Sequence, residues 1–250
     1  MAAVRSTIHL SPLSRFPEPP LYLLVAIDRT SKFAFVELHE KATFRIAGDF
    51  LRHLAAAVPY RIHTVLTDNG THFTDPTGDG WTPEDIREMR AQKLPFRCHA
   101  FEAACADLDI DHRLTKPRHP WTNGQVERMN RTIKEATVKR YHYENHDQLR
   151  QHLTDFVAAY NFARRLKILR GLTPYEAICK AWTDEPERFI SNPHHQSPGP
   201  NIWRALLLRR PHLALLHAHN YSHLGHLTVA DTSATSRTRQ HKAMQPLTEG

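Results

Sequence analysis

The sequence predicts an α/β fold in which helices cover a β-sheet. Two apolar or alternating segments, residues 21–27 and 33–38, are joined by a short polar stretch and therefore predict a β-hairpin. Apolar residues then recur at helical spacing over residues 47–58, and residues 62–66 form a short apolar segment typical of a buried strand. The order strand, strand, helix, strand indicates a layered α/β domain.

The remaining elements follow in order along the chain. Thr43 is a suitable N-cap for the first helix. Residues 74–98 are interrupted by Pro and Gly, and they predict a surface insertion with one short helix. Beyond it, the sequence predicts a helix over 101–108, a strand over 110–114, a loop over 115–124, and three helices over 125–141, 148–161 and 174–182. Thr173 and Glu176 form a capping box for the last of these helices.

Both ends of the chain differ from its middle. Residues 1–20 contain four prolines and no usable periodicity, so we expect an irregular lead with a truncated first strand. Residues 204–250 are rich in Leu, His, Ser and Thr without an amphipathic period, so we expect a disordered or frameshift-derived tail after a core over 21–203. The tail contributes +4 to the net charge of +7, and net charge is therefore weak evidence for a polyanionic partner.

Composition excludes two classes of protein. Three cysteines, none in a Cys-x-x-Cys pair, exclude a disulfide scaffold and indicate a reducing, cytoplasmic setting. The longest apolar run, Leu21–Ile27, is too short to span a bilayer, and no secretory signal is recognisable. Cys98 with His99, and Cys105 with His112, fit no standard zinc spacing, so we expect ordinary packed or exposed cysteines.

Asp68 is the first candidate for a functional carboxylate. It follows the predicted strand at 62–66, and α/β folds bind ligands at the carboxyl ends of their strands. Asn69 and Gly70 permit a tight turn that projects the carboxylate beyond the sheet. Asp-Asn-Gly is also common turn material, and taken alone this motif favours a plain turn.

Glu127 is the second candidate. On a helix beginning near Gln125, Glu127, Arg131 and Lys134 share one face, while Val126 and other apolar residues form another. A carboxylate beside two cations suits a metal–phosphate site, in which Glu127 binds a divalent cation and the cations contact a DNA backbone. The alternative is an ordinary Glu–Arg i,i+4 pair, which the motif alone favours.

Two longer segments together resemble one family. Residues 67–73 read Thr-Asp-Asn-Gly-Thr-His-Phe, and residues 119–134 read His-Pro-Trp-Thr-Asn-Gly-Gln-Val-Glu-Arg-Met-Asn-Arg-Thr-Ile-Lys. They closely resemble the catalytic core of DDE transposases and retroviral-type integrases, and most closely that of bacterial insertion-sequence transposases. The resemblance extends from about Leu21 to about Trp203.

This resemblance implies a fold, a reaction and a cofactor. The fold is a ribonuclease H-like integrase core, a mixed sheet with flanking helices. The reaction is metal-dependent cleavage and strand transfer of DNA phosphodiesters in transposition or integration, with Mg²⁺ (or Mn²⁺) as cofactor. Asp68 and Glu127 match the second and third catalytic acids of the family and are the expected metal ligands.

The resemblance also implies partners. Arg128, Arg131 and Lys134 match the basic side of the family's helix and are expected to contact DNA, with Lys116 and Asn123 beside the scissile strand. The expected partners are transposon-end and target DNA and further copies of the chain in a homo-oligomer, and the expected location is the bacterial nucleoid.

The match departs from the family at the first acid. The family has a His-hydrophobic-Asp pattern on its first strand, whereas residues 8–12 read Ile-His-Leu-Ser-Pro. Asp28 matches a non-catalytic position and is no replacement. Two functions therefore remain open: an active transposase or integrase from a truncated copy, and a catalytically inactive DNA-binding remnant. A nuclease of the same fold acting outside transposition is disfavoured because the match continues through the C-terminal helices.

Overall fold

Five strands form one mixed sheet in the computed structural model, which describes residues 5–13, 21–75, 81–93, 97–115 and 124–195. The strands are β1 (Arg5–Leu13), β2 (Leu21–Asp28), β3 (Ala34–His39), β4 (Thr64–Thr67) and β5 (Asp111–Leu114). Their order across the sheet is β3-β2-β1-β4-β5. The β1–β2 and β2–β3 pairs are antiparallel, whereas the β1–β4 and β4–β5 pairs are parallel. The predicted mixed sheet with flanking helices is confirmed.

Six α-helices accompany the sheet in these ranges. They are α1 (Phe44–Ala57), α2 (Pro83–Ala91), α3 (Ala100–Asp107), α4 (Gly124–Ala136), α5 (His146–Phe162) and α6 (Pro174–Asp184). The predicted hairpin, the N-cap Thr43 and the capping box of Thr173 and Glu176 all form as expected. No helix in the described ranges is long and apolar enough to cross a membrane.

Each face of the sheet has its own apolar cluster, because side chains alternate along every strand. Even-numbered residues of β2, such as Leu24, pack with α1, α3 and α6. Odd-numbered residues, such as Val25, pack with α4 and α5. Gly48 allows α1 to approach α3 closely, since a Cβ there would lie 2.8 Å from the carbonyl oxygen of Ala100.

β1 corrects the prediction of an irregular lead over residues 1–20. Residues 5–13 form a nine-residue strand at the centre of the sheet, paired with β2 along nearly its whole length. Pro12 is tolerated because it lies beyond Arg5–Thr7, the stretch that pairs with β4, so its missing N–H costs no ladder bond to that strand. The polar side chains of Ser6 and Thr7 are buried here and conceal the strand from a hydrophobicity pattern.

α4 is shorter than the helix predicted over 125–141. It ends at Ala136, and residues 137–140 continue as turns. Thr137 donates its hydroxyl to the carbonyl of Ile133, and Lys139 donates its N–H to the carbonyl of Lys134, one residue further back than a helix requires. The β-branched pair at 137–138 lowers helix propensity at this point.

Glu37 connects β3 to α1. Its carboxylate contacts His39 at 2.8 Å and His53 of α1 at 2.9 Å. Burial raises the pKa of Glu37, but the two histidines outweigh burial and lower the pKa to about 2. The Glu37 carboxylate is therefore ionised at neutral and mildly acidic pH.

Candidate active site at the end of β4

A tight turn positions Asp68 at the carboxyl end of β4. Its Oδ1 accepts a hydrogen bond of 3.0 Å from the Gly70 N–H, and the Phe73 N–H closes the turn on the Gly70 carbonyl at 2.9 Å. A Cβ on Gly70 would lie 2.8 Å from Asp68 Oδ1, so the turn requires glycine to hold the carboxylate where it is. Phe73 is fully buried against Phe101 and anchors the turn to the core.

His9 of β1 faces the same carboxylate. The parallel register pairs Thr7 with Leu66, so His9 and Asp68 are neighbours across the two strands. His9 Nδ1 lies 3.3 Å from Asp68 Oδ2, within ion-pair range but without the angles of a hydrogen bond. Nδ1 is buried and has no hydrogen-bond partner in the part of the chain that the structure describes.

Asp68 is an ionised, partly exposed carboxylate. Burial raises the pKa of Asp68, but the His9 ring, the Gly70 N–H and, more weakly, His72 lower it, and the pKa lies below its usual value. The side chain is 37% exposed, so a ligand can reach it from solvent. A charged, preoriented and accessible carboxylate is what a cation site requires.

Asp28 lies on the other face of the sheet and serves the hairpin. It belongs to the even-numbered side of β2, whereas His9 pairs with the odd-numbered Val25. Its carboxylate accepts hydrogen bonds from the N–H groups of Thr30 and Ser31, each 3.0 Å long, and from the Ser31 hydroxyl. These contacts agree with its exclusion from catalysis.

α4 packs along the odd-numbered face, beside β1 and β2. Ser11 donates its hydroxyl to Asn130 Oδ1 at 3.2 Å, and Lys134 Nζ donates to the Pro12 carbonyl at 3.2 Å. Glu127 precedes Asn130 by three residues and therefore lies on the same stripe of the helix. Lys134 contacts Pro12 and Asn130 contacts Ser11. Going toward the N-terminus of α4, from Lys134 to Glu127, this stripe therefore follows β1 from Pro12 toward His9.

Asp68 and Glu127 do not form a complete ligand group with His9 in this conformation. Among the residues that the structure describes, only Glu102, Cys105 and His112 bring three possible ligand atoms within 4.8 Å of one another. Glu127 is exposed on α4. A cation shared by Asp68 and Glu127 therefore stays a prediction.

The predicted basic residues differ in their surroundings. Arg128 and Arg131 are exposed, and within the described ranges neither has an ion-pair partner, so the alternative Glu127–Arg131 pair does not form. Lys134 is half-buried, and burial together with the charge of Lys139 lowers its pKa. Lys116 and Asn123 lie outside the described residues.

A buried network supports the Asp68 turn from the opposite face. His112 Nδ1 contacts Glu102 Oε1 at 2.6 Å, and His112 Nε2 contacts Thr67 Oγ1 at 2.8 Å. Thr67 in turn donates its hydroxyl to the Asp68 carbonyl at 3.0 Å. Because the Thr67 hydroxyl is donated to the Asp68 carbonyl, Thr67 Oγ1 accepts from His112 Nε2–H, which leaves His112 Nδ1 for the Glu102 carboxyl group.

This network is structural, although its members meet the spacing of a metal site. Both nitrogens of His112 are engaged, and burial raises the pKa of Cys105 far above its usual value, so the thiol stays protonated. Only a thiolate binds zinc well. Cys105 is a packed core residue, as the sequence predicts.

Sequence reasoning missed both His9 and the Glu102–His112 pair. The nearness of His9 to Asp68 depends on the β1–β4 register, which no local pattern reveals. Two signals were available: residues 8–12 match the family's first strand, with His9 in place of its histidine, and His9 and Ser11 lie on one face of a strand because they are two residues apart.

Comparison with known proteins supports the resemblance. Two family models described as Integrase core domain match, one over residues 10–120 and one over residues 108–174. Protein ORF3 of Spiroplasma virus SpV1-C74, whose name describes it as an integrase, is 28% identical over 47% of this chain and 29% of its own length. An uncharacterized Caenorhabditis elegans protein is 26% identical over 47% of this chain and 7% of its own length. The chain thus spans less than a third of either relative.

Solved structures share the fold. The catalytic core domain of BIV integrase superposes with a TM-score of 0.51 at 16% identity, covering 74% of this chain and 99% of that domain. A chain from the simian T-cell lymphotropic virus intasome in complex with PP2A regulatory subunit B56 gamma gives a TM-score of 0.53 at 19% identity. The match covers 69% of this chain and 53% of that chain. At these identities the likeness establishes a ribonuclease H-like fold alone.

Proposed function

We propose that this chain belongs to the retroviral-type integrase and transposase superfamily and is the core of a DNA transposase or integrase that cuts and transfers DNA strands with the help of a divalent cation. The observation that supports this most is Asp68: an ionised carboxylate, held by a glycine-dependent turn at the end of β4, on the face where α4 packs. The match to an integrase core indicates DNA integration or transposition as the process.

The residues present fit a divalent cation. Asp68 Oδ2 receives no N–H from its own turn, and the buried His9 Nδ1 beside it has no hydrogen-bond partner among the described residues. A cation, when bound, would supply Lewis-acid activation of the attacking oxygen and stabilise the leaving oxygen. Mg²⁺ and Mn²⁺ both suit a carboxylate-containing site.

Each part of the chain has a distinct task in this proposal. Asp68 and Glu127 bind the cation from two sides, one from the sheet and one from α4. Arg128 and Arg131, exposed on the same helix, bind the phosphate backbone and so position the scissile bond without selecting a sequence. Lys116 and Asn123 would border that strand. Lys134, which donates to the Pro12 carbonyl, also fixes α4 to β1.

The test is a strand-cutting assay. Supercoiled plasmid and labelled duplexes from the DNA that flanks the gene are incubated with Mg²⁺ or Mn²⁺ and the full chain. We expect metal-dependent nicking or strand transfer, with a loss of about a hundredfold or more in Asp68→Asn and Glu127→Gln, because the loss of a metal ligand removes several kcal/mol of transition-state stabilisation.

Matched controls separate charge from site. Asp109→Asn and Glu135→Gln remove exposed carboxylates elsewhere, the second of them from α4 itself, and should leave the rate unchanged. Activity equal in the parent and both site variants would reject the enzyme proposal. DNA binding without any metal-dependent cutting would identify the chain as the inactive remnant.

A further inference from the structure

We propose that His9 is itself a ligand of the cation, so that the site combines one imidazole with the carboxylates of Asp68 and Glu127 and prefers Mn²⁺ to Mg²⁺. This rests on the proposed function for the position of the cation at Asp68. It goes beyond it by assigning a further ligand on β1 and an ion preference to this chain.

Geometry supports the assignment. Two neighbouring ligands of one cation lie about 3 Å apart when each bond is roughly 2.1 Å long. His9 Nδ1 and Asp68 Oδ2 are 3.3 Å apart. Oδ2 is also the carboxylate oxygen that the Gly70 N–H does not occupy, because that bond is made to Oδ1. His9 Nδ1 and Asp68 Oδ2 therefore face each other, and neither atom is occupied by a hydrogen bond from the turn or from β1.

The orphaned nitrogen is the second observation. A buried nitrogen without a hydrogen bond loses its solvation, and the loss is recovered when a ligand binds it. His9 Nδ1 is such an atom within the described ranges, although the ring as a whole is 22% exposed. The hydroxyl of Ser11, on the same face of β1, contacts Asn130 of α4 and is therefore not an orphaned group.

Ligand chemistry sets the ion preference. Mg²⁺ prefers oxygen ligands in a near-ideal octahedron. Imidazole nitrogen binds first-row transition ions, and Mn²⁺, although the weakest binder of that series, accepts it more readily than Mg²⁺ does. Replacing a carboxylate by a neutral imidazole also removes one negative charge from the ligand set. The loss of charge weakens the binding of both ions, whereas the change from oxygen to nitrogen weakens Mg²⁺ binding more than Mn²⁺ binding.

The competing account is a protonated His9 that forms an ion pair with Asp68. The two accounts predict opposite effects of removing the ring. If His9 is a ligand, His9→Ala weakens cation binding. If His9 is only a counter-charge, it competes with the cation for Asp68, and His9→Ala leaves binding unchanged or makes it tighter.

The experiment measures cation binding without DNA. Mn²⁺ binding to the full chain is followed by electron paramagnetic resonance of free Mn²⁺, and Mg²⁺ binding by its displacement of Mn²⁺. The variants are His9→Ala, His9→Asp and, as control, His63→Ala at an exposed position, each checked for an unchanged circular dichroism spectrum.

We expect the parent to bind Mn²⁺ at least tenfold more tightly than Mg²⁺. His9→Ala should weaken Mn²⁺ binding at least 10- to 100-fold, because even the loss of a residue that only supports a metal ligand weakens metal binding by that much. His9→Asp should narrow the Mn²⁺/Mg²⁺ ratio, because it supplies the carboxylate that Mg²⁺ prefers, while His63→Ala should match the parent. Unchanged or tighter Mn²⁺ binding in His9→Ala, or an unchanged ratio in His9→Asp, would overturn the assignment.

Asp68→Asn and Glu127→Gln distinguish this failure from failure of the proposed function. If those two variants lose Mn²⁺ binding and His9→Ala does not, only the role of His9 is wrong. If neither variant alters Mn²⁺ binding, the cation does not bind at this site, and the proposed function fails with it.

Discussion

The buried pair of Glu102 and His112 offers a stability prediction whose size follows from its geometry. The His112 side chain is 2% exposed and that of Glu102 is 11% exposed, and their contact is 2.6 Å long. Glu102→Ala would leave the ring of His112 buried without its partner. Removing one member of a buried ion pair costs about 3–5 kcal/mol.

That loss is large against the stability of a whole domain, which is about 5–15 kcal/mol. For a domain of this size it corresponds to a fall in melting temperature of roughly 6–20 °C. Glu102→Gln retains an acceptor but loses its charge, so about 1–2 kcal/mol is expected, the difference between a charged and a neutral hydrogen bond.

Urea unfolding followed by tryptophan fluorescence measures these differences. Glu135→Ala, an exposed change whose side chain is 57% accessible, is the control and should alter the free energy of unfolding by less than about 0.5 kcal/mol. A loss below about 1 kcal/mol in Glu102→Ala would refute the claim that this pair stabilises the strand below the Asp68 turn.

Four further predictions concern pH, packing, the turn and DNA. In urea titrations the parent should lose up to about 3 kcal/mol of its free energy of unfolding as pH falls from 4.5 toward 2, because the folded pKa of Glu37, about 2, lies below the unfolded value. Glu37→Gln should abolish this acid-dependent loss, and equal pH profiles of parent and variant would contradict the prediction. Gly48→Ala should lower the free energy of unfolding by about 1–3 kcal/mol through overpacking, and an unchanged urea midpoint would refute the close helix approach. Gly70→Ala should weaken Mn²⁺ binding at Asp68 without a comparable loss of stability, since its Cβ displaces the carboxylate; retained Mn²⁺ affinity would show that the turn does not orient it. Arg131→Ala should lower nonspecific DNA affinity and reduce the slope of log affinity against log salt by about one, and an unaltered slope would remove it from the DNA surface.

Local elements were predictable because their signals lie within a few residues. Thr43 and the Thr173–Glu176 box cap their helices through contacts three residues away, and both appear in the sequence. The hairpin needs only two short segments and a polar turn. Such elements can be predicted because the contacts that form them join residues close in sequence.

β1 shows why the rest could not be predicted. Its central position follows from pairing with residues that lie 8 to 59 positions further along the chain, and its buried Ser and Thr residues obscure the alternation. The same holds for the site: Asp68 was identified from its turn, but His9 became visible only through the strand register. The contact of His112 with Glu102 depends on how α3 packs beside β5.

The central claim is that Asp68 and Glu127 hold one cation from opposite elements of the fold. An anomalous difference map from a crystal grown with Mn²⁺ tests it most directly. The account predicts a peak within roughly 2.5 Å of a carboxylate oxygen of each residue, with Glu127 turned toward β1. A map in which the two carboxylates point to different faces of the sheet, or in which Mn²⁺ binds away from Asp68, would contradict it.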